Sequence, residues 1–292
     1  MKKRDVALVL SSGGAKGFAH VGVIHALERN GFKIHSVAGA SMGSLIGGLY
    51  ATGELDNFID FMDHIDLREL LHFVDINLGA GGIIKGEKVI EQLKKLIPDR
   101  NIEDLNIPYC AIATNIVTGE EKVFTKGKLY DAIRASIAIP TVFTPHVVNE
   151  QHYVDGGVIN PIPVNRVYRK KRDIVVAVNV NDIKSKVSMP VPSEKKKKER
   201  KLPEALTQFL EKAEKLLPRN KHDRIGTFNI TNKSINLMIN QISDLTLQLT
   251  PPDIQIDFPI DCYGTFDFYK AAEIIEYGDK MAEKAIKAYL KK

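Results

Sequence analysis

The stretch that most restricts the fold of this chain is Val37-Ala38-Gly39-Ala40-Ser41-Met42-Gly43. A short apolar run leads into it, as in a strand, and residues 44–50 continue from it with the composition of a helix. The pattern G-x-S-x-G between a strand and a helix is that of a nucleophile elbow, a strained turn that exposes a serine hydroxyl. It predicts Ser41 as a nucleophile, with Gly39 and Gly43 at positions where a Cβ atom would clash with neighbouring elements.

An apolar run over residues 6–10, typical of a buried parallel strand, leads into a second glycine-rich turn, Ser11-Ser12-Gly13-Gly14-Ala15-Lys16-Gly17. Consecutive backbone N–H groups in such a turn can stabilise an anion, and Lys16 would add positive charge. Two interpretations are open: an oxyanion hole that serves Ser41, or a loop that binds nucleotide phosphates. The complete dinucleotide and P-loop patterns are absent, because Ser12 replaces a required glycine and no Gly-Lys-Ser/Thr follows. The elbow on the next strand therefore favours the oxyanion hole.

The base that would activate Ser41 is not evident from a catalytic triad. In an α/β-hydrolase the order along the chain is serine, then aspartate or glutamate, then histidine. Of the eight histidines only His222 follows Asp155, and its charged neighbours indicate a surface position. The lipase-type His-Gly-Gly-Gly loop is absent as well. The residues alone therefore predict a serine nucleophile without fixing its partner.

Three segments, in this order, resemble the motifs of the patatin-like phospholipases. They are the glycine-rich turn with its continuation to residue 23, the elbow Gly39-Ala40-Ser41-Met42-Gly43, and Asp155-Gly156-Gly157. Residues 133–140 and 160–163 resemble the connecting segments of that family, so that the resemblance covers about residues 5–180. It implies hydrolysis of lipid acyl esters by a Ser–Asp dyad, with Ser41 as the nucleophile, Asp155 as its base, and no metal or other cofactor.

The resemblance also assigns the remaining site residues. Six residues are expected to supply oxyanion-binding groups: Gly13, Gly14, Ala15, Lys16, Gly17 and Met42. Gly156 and Gly157 would leave room for Asp155 to approach Ser41. Where the family usually has glycine at two positions and arginine at a third, this chain carries Ser11, Ser12 and Lys16.

The net charge of +5 is concentrated in one segment. Residues 184–201 contain eight basic and two acidic side chains, so the rest of the chain has a net charge of −1. The segment is lysine-rich and punctuated by proline, which is typical of a solvated loop, and contact with anionic lipid headgroups is a second interpretation. Nucleic-acid binding is not indicated, since the run has no interleaved aromatic residues and belongs to no recognisable module.

Cysteine content and hydropathy indicate the compartment. The two cysteines, Cys110 and Cys262, are expected to be free thiols in a reducing environment, and they are too few for a cysteine metal cluster. The apolar run after the basic start is too short for a signal peptide, and no segment approaches the length of a membrane-spanning helix. We therefore expect a cytoplasmic protein, either free or in peripheral contact with a membrane.

With 44% hydrophobic residues, the 292-residue chain can bury a large core. The strand-loop-helix-strand-elbow-helix order at the start predicts an α/β fold with a central, mostly parallel sheet and helices on both faces. The run over residues 174–180 is the most strand-like and is placed in the centre of the sheet. We expect a catalytic domain over residues 1–182, a flexible lysine-rich loop over 183–201, and a helical extension over 202–292 that packs on the catalytic domain.

The predicted function is that of a serine hydrolase of lipid acyl esters, of the phospholipase A or lysophospholipase type. Two alternatives remain open. An acyltransferase would share the acyl-enzyme and differ in the acceptor, and a non-catalytic lipid-binding or regulatory protein would keep the same fold. The lipid headgroup, the acyl position, the chain length and the oligomeric state are not predicted.

Overall fold

The computed structural model describes residues 4–64, 85–185 and 227–291. These residues form eight strands: β1 (Arg4–Leu10), β2 (Phe32–Ala40), β3 (Tyr109–Asn115), β4 (Glu121–Phe124), β5 (His146–Val148), β6 (Gln151–Asp155), β7 (Ile174–Asp182) and β8 (Ile254–Pro259). They also form seven α-helices: α1 (Ala19–Arg29), α2 (Met42–Thr52), α3 (Leu55–His64), α4 (Glu87–Leu96), α5 (Leu129–Ser136), α6 (Thr227–Leu249) and α7 (Ala271–Leu290).

Hydrogen bonds join the eight described strands into one sheet, in which successive partners are β5-β6-β3-β2-β1-β7-β8 and β4 also pairs with β3. Strands β3, β2, β1, β7 and β8 run parallel to one another, whereas β4, β5 and β6 pair antiparallel. The predicted mostly parallel sheet is thus confirmed. The run over residues 174–180 does form a strand, β7, but β7 lies beside the edge strand β8 and not in the centre.

Alternating side chains of the parallel strands build two cores, one on each face of the sheet. In β1, Val6 and Leu8 face the layer made by α1, α2 and α7. Ala7 and Val9 face the other side, where alanines of neighbouring strands also point. This second face is covered by residues 162–167 and by Leu247 of α6. Helices therefore lie on both faces of the sheet, as predicted.

The C-terminal part of the described chain is joined closely to the rest. Helix α7 lies along α1, where Arg29 donates hydrogen bonds to Asp279 and Glu283. Strand β8, in the same part of the chain, extends the sheet at its edge. Residues 186–226, which hold most of the lysine-rich segment, lie outside the described residues. The predicted division of the chain at residues 182 and 201 stays a prediction.

Three further observations concern membrane-spanning helices, the cysteines and metal-binding groups. None of the described helices combines the length and the apolar character that crossing a bilayer requires. Cys110 and Cys262 are free thiols, the first buried and the second partly buried. In the described ranges, no group of three histidine, cysteine, aspartate or glutamate side chains is arranged to hold a metal ion.

Candidate active site

Only one residue, Ser41, separates the end of β2 from the start of α2. Its backbone angles, φ 54° and ψ −124°, lie in a region that residues with a side chain rarely adopt. A Cβ atom on Gly39 would lie 2.3 Å from the carbonyl oxygen of Gly43, and one on Gly43 would lie 2.2 Å from that of Leu10. The close approach of the backbone therefore requires both glycines of the motif.

The main chain of Ser41 is held from two sides. Its carbonyl oxygen accepts hydrogen bonds from the N–H groups of Ser44 at 2.8 Å and Leu45 at 3.2 Å, in the first turn of α2. Its own N–H donates to the Oγ of Ser136 at 2.9 Å, at the end of α5. These bonds hold the strained turn in one conformation.

The register of the sheet brings Asp155 to this turn. Strand β4 occupies one edge of β3 over residues 111–114. Along its other edge, β3 pairs first with β2, where Ala40 lies opposite Ile112. It then pairs with β6, whose last residue, Asp155, lies opposite Ala113. The ends of β2 and β6 thus meet on the same edge of β3, and Ser41 follows directly from one of them.

The side chains of Ser41 and Asp155 are in direct contact. Ser41 Oγ donates a hydrogen bond to Asp155 Oδ2, with the two oxygens 2.5 Å apart, and Asp155 Oδ1 accepts one from the N–H of Gly157 at 2.7 Å. Only 3% of Ser41 and 5% of Asp155 is exposed. Burial raises the pKa of Asp155 from 3.8 to about 7, although both hydrogen bonds act in the opposite direction. This carboxylate can therefore accept a proton near neutral pH.

In the part of the chain that the structure describes, no histidine hydrogen-bonds to Ser41 or Asp155. His20, on α1, is fully buried, and its Nε2 lies 2.9 Å from the carbonyl oxygen of Ser11. Because a carbonyl can only accept, Nε2 carries the proton of this ring. Burial lowers the pKa of His20 to about 4, so the ring is neutral at pH 7. His20 thus holds the start of the glycine-rich turn through the Ser11 carbonyl.

The glycine-rich turn lies beside the elbow, with Gly17 packed closely against the side chain of Met42. Gly14 adopts φ +58°, and a Cβ atom there would lie 2.5 Å from the carbonyl oxygen of Thr265. No hydrogen bond between described residues uses the N–H groups of Gly13, Gly14 or Met42, the last of which begins α2. These three amides therefore remain available to an anion at this end of the sheet.

The other predicted oxyanion-binding residues have partners of their own. Ala15 donates its N–H to the carbonyl oxygen of Thr265 at 2.9 Å, and Gly17 lies within the 3₁₀ turn Gly14–Phe18. The Lys16 side chain is buried, and its Nζ donates to the carbonyl oxygen of Ile260 at 3.1 Å. Burial lowers the pKa of Lys16 to about 8. Ala15 and Lys16 thus connect the turn to the loop after β8.

The sequence analysis assigned no role to two residues that contribute to this site. The Ser136 hydroxyl holds the amide of the nucleophile, and the Thr265 carbonyl holds the glycine-rich turn. Ser136 lies in the segment 133–140 that resembles the family, but the resemblance assigns it no role; both residues act through contacts between segments that are distant along the chain.

The mostly parallel sheet, with Ser41 at a strained turn between a strand and a helix, has the geometry of a nucleophile elbow. A comparison with protein families gives the particular family: the model described as patatin-like phospholipase matches residues 8–168, more than half of the chain. This chain belongs to the patatin-like phospholipase family.

Individual relatives cover nearly the whole chain. An uncharacterized NTE family protein of Mycobacterium tuberculosis is 30% identical over 97% of this chain and 92% of its own length. The lysophospholipase NTE1 of Kluyveromyces lactis is 28% identical over 94% of this chain, which corresponds to 18% of that protein. Among solved structures, VipD from Legionella pneumophila matches with a TM-score of 0.47 and 14% identity, over 98% of this chain and 67% of that one.

Proposed function

We propose that this protein is a serine hydrolase of lipid acyl esters, of the phospholipase A or lysophospholipase type, with Ser41 as nucleophile and Asp155 as its base. The observation that carries the proposal is the 2.5 Å separation of Ser41 Oγ and Asp155 Oδ2 at the strained elbow. Membership of a phospholipase family, and similarity to proteins named lysophospholipases, support lipid esters as substrates.

Burial makes the carboxylate a useful base. In water a carboxylate is ionised at pH 7, but its low pKa makes it a very weak base toward a hydroxyl group. Asp155 is desolvated, and its pKa of about 7 lies in the range where a general base is most effective at neutral pH. The short hydrogen bond also directs the hydroxyl proton of Ser41 at Asp155 Oδ2, the atom that would accept it.

In the acylation half-reaction, Ser41 Oγ attacks the ester carbonyl carbon while its proton passes to Asp155. The carbonyl oxygen then carries a negative charge, for which the N–H groups of Gly13, Gly14 and Met42 are the available donors. When the tetrahedral intermediate collapses, the ester C–O bond breaks. Asp155 returns the proton to the leaving alcohol oxygen, and Ser41 remains acylated.

In the deacylation half-reaction, Asp155 acts on water in the same way. It accepts a proton as the water oxygen attacks the acyl carbon, and the same three amides face the oxyanion. The bond between the acyl carbon and Ser41 Oγ then breaks, Ser41 recovers its proton from Asp155, and a free fatty acid leaves. The cycle uses two buried side chains and backbone amides.

A fluorophosphonate probe tests the nucleophile directly. We expect the wild-type protein to be labelled at Ser41, as located by mass spectrometry, and labelling to be lost in Ser41→Ala and Asp155→Asn. Ser36→Ala is the matched control, because Ser36 is a buried serine of β2 that donates to the Tyr168 carbonyl at 2.6 Å, away from the dyad. An unlabelled wild-type protein would contradict the proposal and favour a non-catalytic lipid-binding role.

Lipid profiling tests the reaction and its substrate. Purified wild-type protein and Ser41→Ala are incubated with a mixture of phospholipids and lysophospholipids, and the products are identified. We expect free fatty acid and the matching deacylated lipid with the wild-type protein alone. Transfer of the acyl group to a second lipid, without release of fatty acid, would point to the acyltransferase alternative.

We also propose peripheral contact with anionic membrane surfaces through the lysine-rich segment, most of which lies outside the described residues. Its excess of basic side chains supports this proposal, since each lysine near an anionic bilayer contributes about 1 kcal/mol. Sedimentation with vesicles of neutral or anionic lipid, at low and high salt, provides the test. Equal sedimentation under all four conditions would contradict it.

A further inference from the structure

A single turn of the chain holds the main chains of both dyad residues. This turn begins at Ser136, the last residue of α5, and runs to Ala138, and both residues are fully buried. Ser136 Oγ accepts the N–H of Ser41 at 2.9 Å, and the carbonyl oxygen of Ala138 accepts the N–H of Asp155 at 3.0 Å. The two reacting residues, which come from different strands, therefore share one anchor.

The direction of the Ser136 hydroxyl is determined by a second bond. Its proton is donated to the carbonyl oxygen of Ile112, 2.5 Å away, which leaves its lone pairs to face the amide of Ser41. Ile112 is the residue of β3 that lies opposite Ala40, directly before the nucleophile. Ile112 of β3 is thus connected to the elbow in two ways, by strand pairing with Ala40 and through the Ser136 hydroxyl.

The Ser41 amide needs such a partner. The pairing of β2 with β3 ends at Ala40, so the next N–H has no acceptor in the sheet. Buried N–H groups without an acceptor are rare because they are costly. A residue in the strained conformation of Ser41 also keeps that conformation only where its surroundings hold it firmly.

We propose that Ser136 is a positioning residue for the nucleophile: its hydroxyl holds the amide of Ser41 so that Oγ stays within hydrogen-bond distance of Asp155. This inference rests on the proposed function of the dyad. Ser136 does not touch the substrate, and its effect is on the geometry from which Ser41 attacks. Displacements of about 1 Å in such a geometry can lower the rate by about two orders of magnitude.

The test compares Ser136→Ala and Ser136→Cys with Ser36→Ala. All three remove a buried serine hydroxyl, and cysteine fills the space of Ser136 with a sulfur that accepts hydrogen bonds only weakly. We expect kcat and the rate of fluorophosphonate labelling to fall roughly 10- to 100-fold in both Ser136 variants, with KM within about twofold of wild type. Ser36→Ala should keep both rates within about twofold.

Either of two kinetic results would overturn the inference: wild-type rates in the Ser136 variants, or an equal loss in Ser36→Ala. If Ser136→Ala does not fold, Ser136→Cys decides. Wild-type protein and Ser41→Ala are measured alongside, so that failure of the proposed function shows as an inactive wild type. If the wild type is inactive, a crystal structure of Ser136→Cys provides the test. The inference requires Ser41 Oγ and Asp155 Oδ2 to move apart beyond hydrogen-bond distance in this variant. An unchanged separation refutes it.

Discussion

Replacing Asp155 by asparagine keeps the shape of the side chain and removes its capacity to take up a proton. The N–H of Gly157 needs an acceptor at the Oδ1 position, so we expect the amide oxygen there and the NH₂ group facing Ser41. The nucleophile then faces a hydrogen-bond donor instead of a base. General-base catalysis contributes about 10²- to 10⁴-fold, so we expect turnover to fall roughly 10³-fold.

The same substitution is expected to stabilise the protein above pH 7. Folding raises the pKa of Asp155 from 3.8 to about 7 because the group is buried. One pKa unit corresponds to about 1.4 kcal/mol, so ionising Asp155 in the folded state costs roughly 4 kcal/mol. The folded state binds the extra proton between these two pKa values, and stability therefore falls as the pH rises through that range. Asparagine has no such dependence.

Urea unfolding of both proteins at pH 8 and pH 5 measures this difference. We expect Asp155→Asn to be more stable than wild type by up to about 4 kcal/mol at pH 8, and by less at pH 5. Asp173→Asn is the contrasting control: burial acts to raise the pKa of Asp173, but hydrogen bonds from Arg169, Lys170 and His35 outweigh it and lower the pKa. That variant should lose stability at pH 8.

Two results would refute this reasoning. If Asp155→Asn is less stable than wild type at pH 8, then burial does not disfavour the charged carboxylate as the structure indicates. If its turnover stays within about tenfold of wild type, then Asp155 is not the base, because loss of a general base costs more than that.

Three further predictions follow from the same structure. The kcat/KM for lipid ester hydrolysis should fall about tenfold per pH unit below pH 7, because Asp155 must be ionised to act as a base, and a flat profile from pH 5 to 8 would contradict this. Gly14→Ala should lower the rate of fluorophosphonate labelling by roughly 10²-fold, since its Cβ atom would collide with the Thr265 carbonyl and displace the turn; unchanged labelling would show that the turn is not needed. Tyr130→Phe should reduce the free energy of unfolding by about 1–2 kcal/mol in urea titrations, with labelling unchanged, because the buried hydroxyl contacts the carbonyls of Leu93 and Ile97. Wild-type stability would contradict that last assignment.

The elbow could be predicted because its chemistry is local. The backbone at Ser41 requires glycine two residues before and two residues after it, and this requirement is written directly in the sequence. The mostly parallel sheet could also be predicted, because continuous apolar runs indicate strands covered on both faces. The same argument misplaced β7, since it indicates that the faces are covered and not where a strand stands in the order.

The partner of Ser41 is a different case. Asp155 is 114 residues away along the chain and could be named only through the family resemblance. Its place depends on β3 pairing with β2 and then with β6 along one edge, which no local pattern encodes. Ser136 and Thr265 were missed for the same reason, because each acts through a contact that exists only once distant segments have packed.

The loop after β8 has a consequence for how short this protein can be made. The family match ends at residue 168, yet Thr265 and Ile260 bind the glycine-rich turn, and β7 flanks β1. A fragment cut at the family boundary would lose the neighbouring strand and both carbonyls that shape this turn. We therefore expect the smallest fragment that keeps the glycine-rich turn in place to extend at least to Thr265.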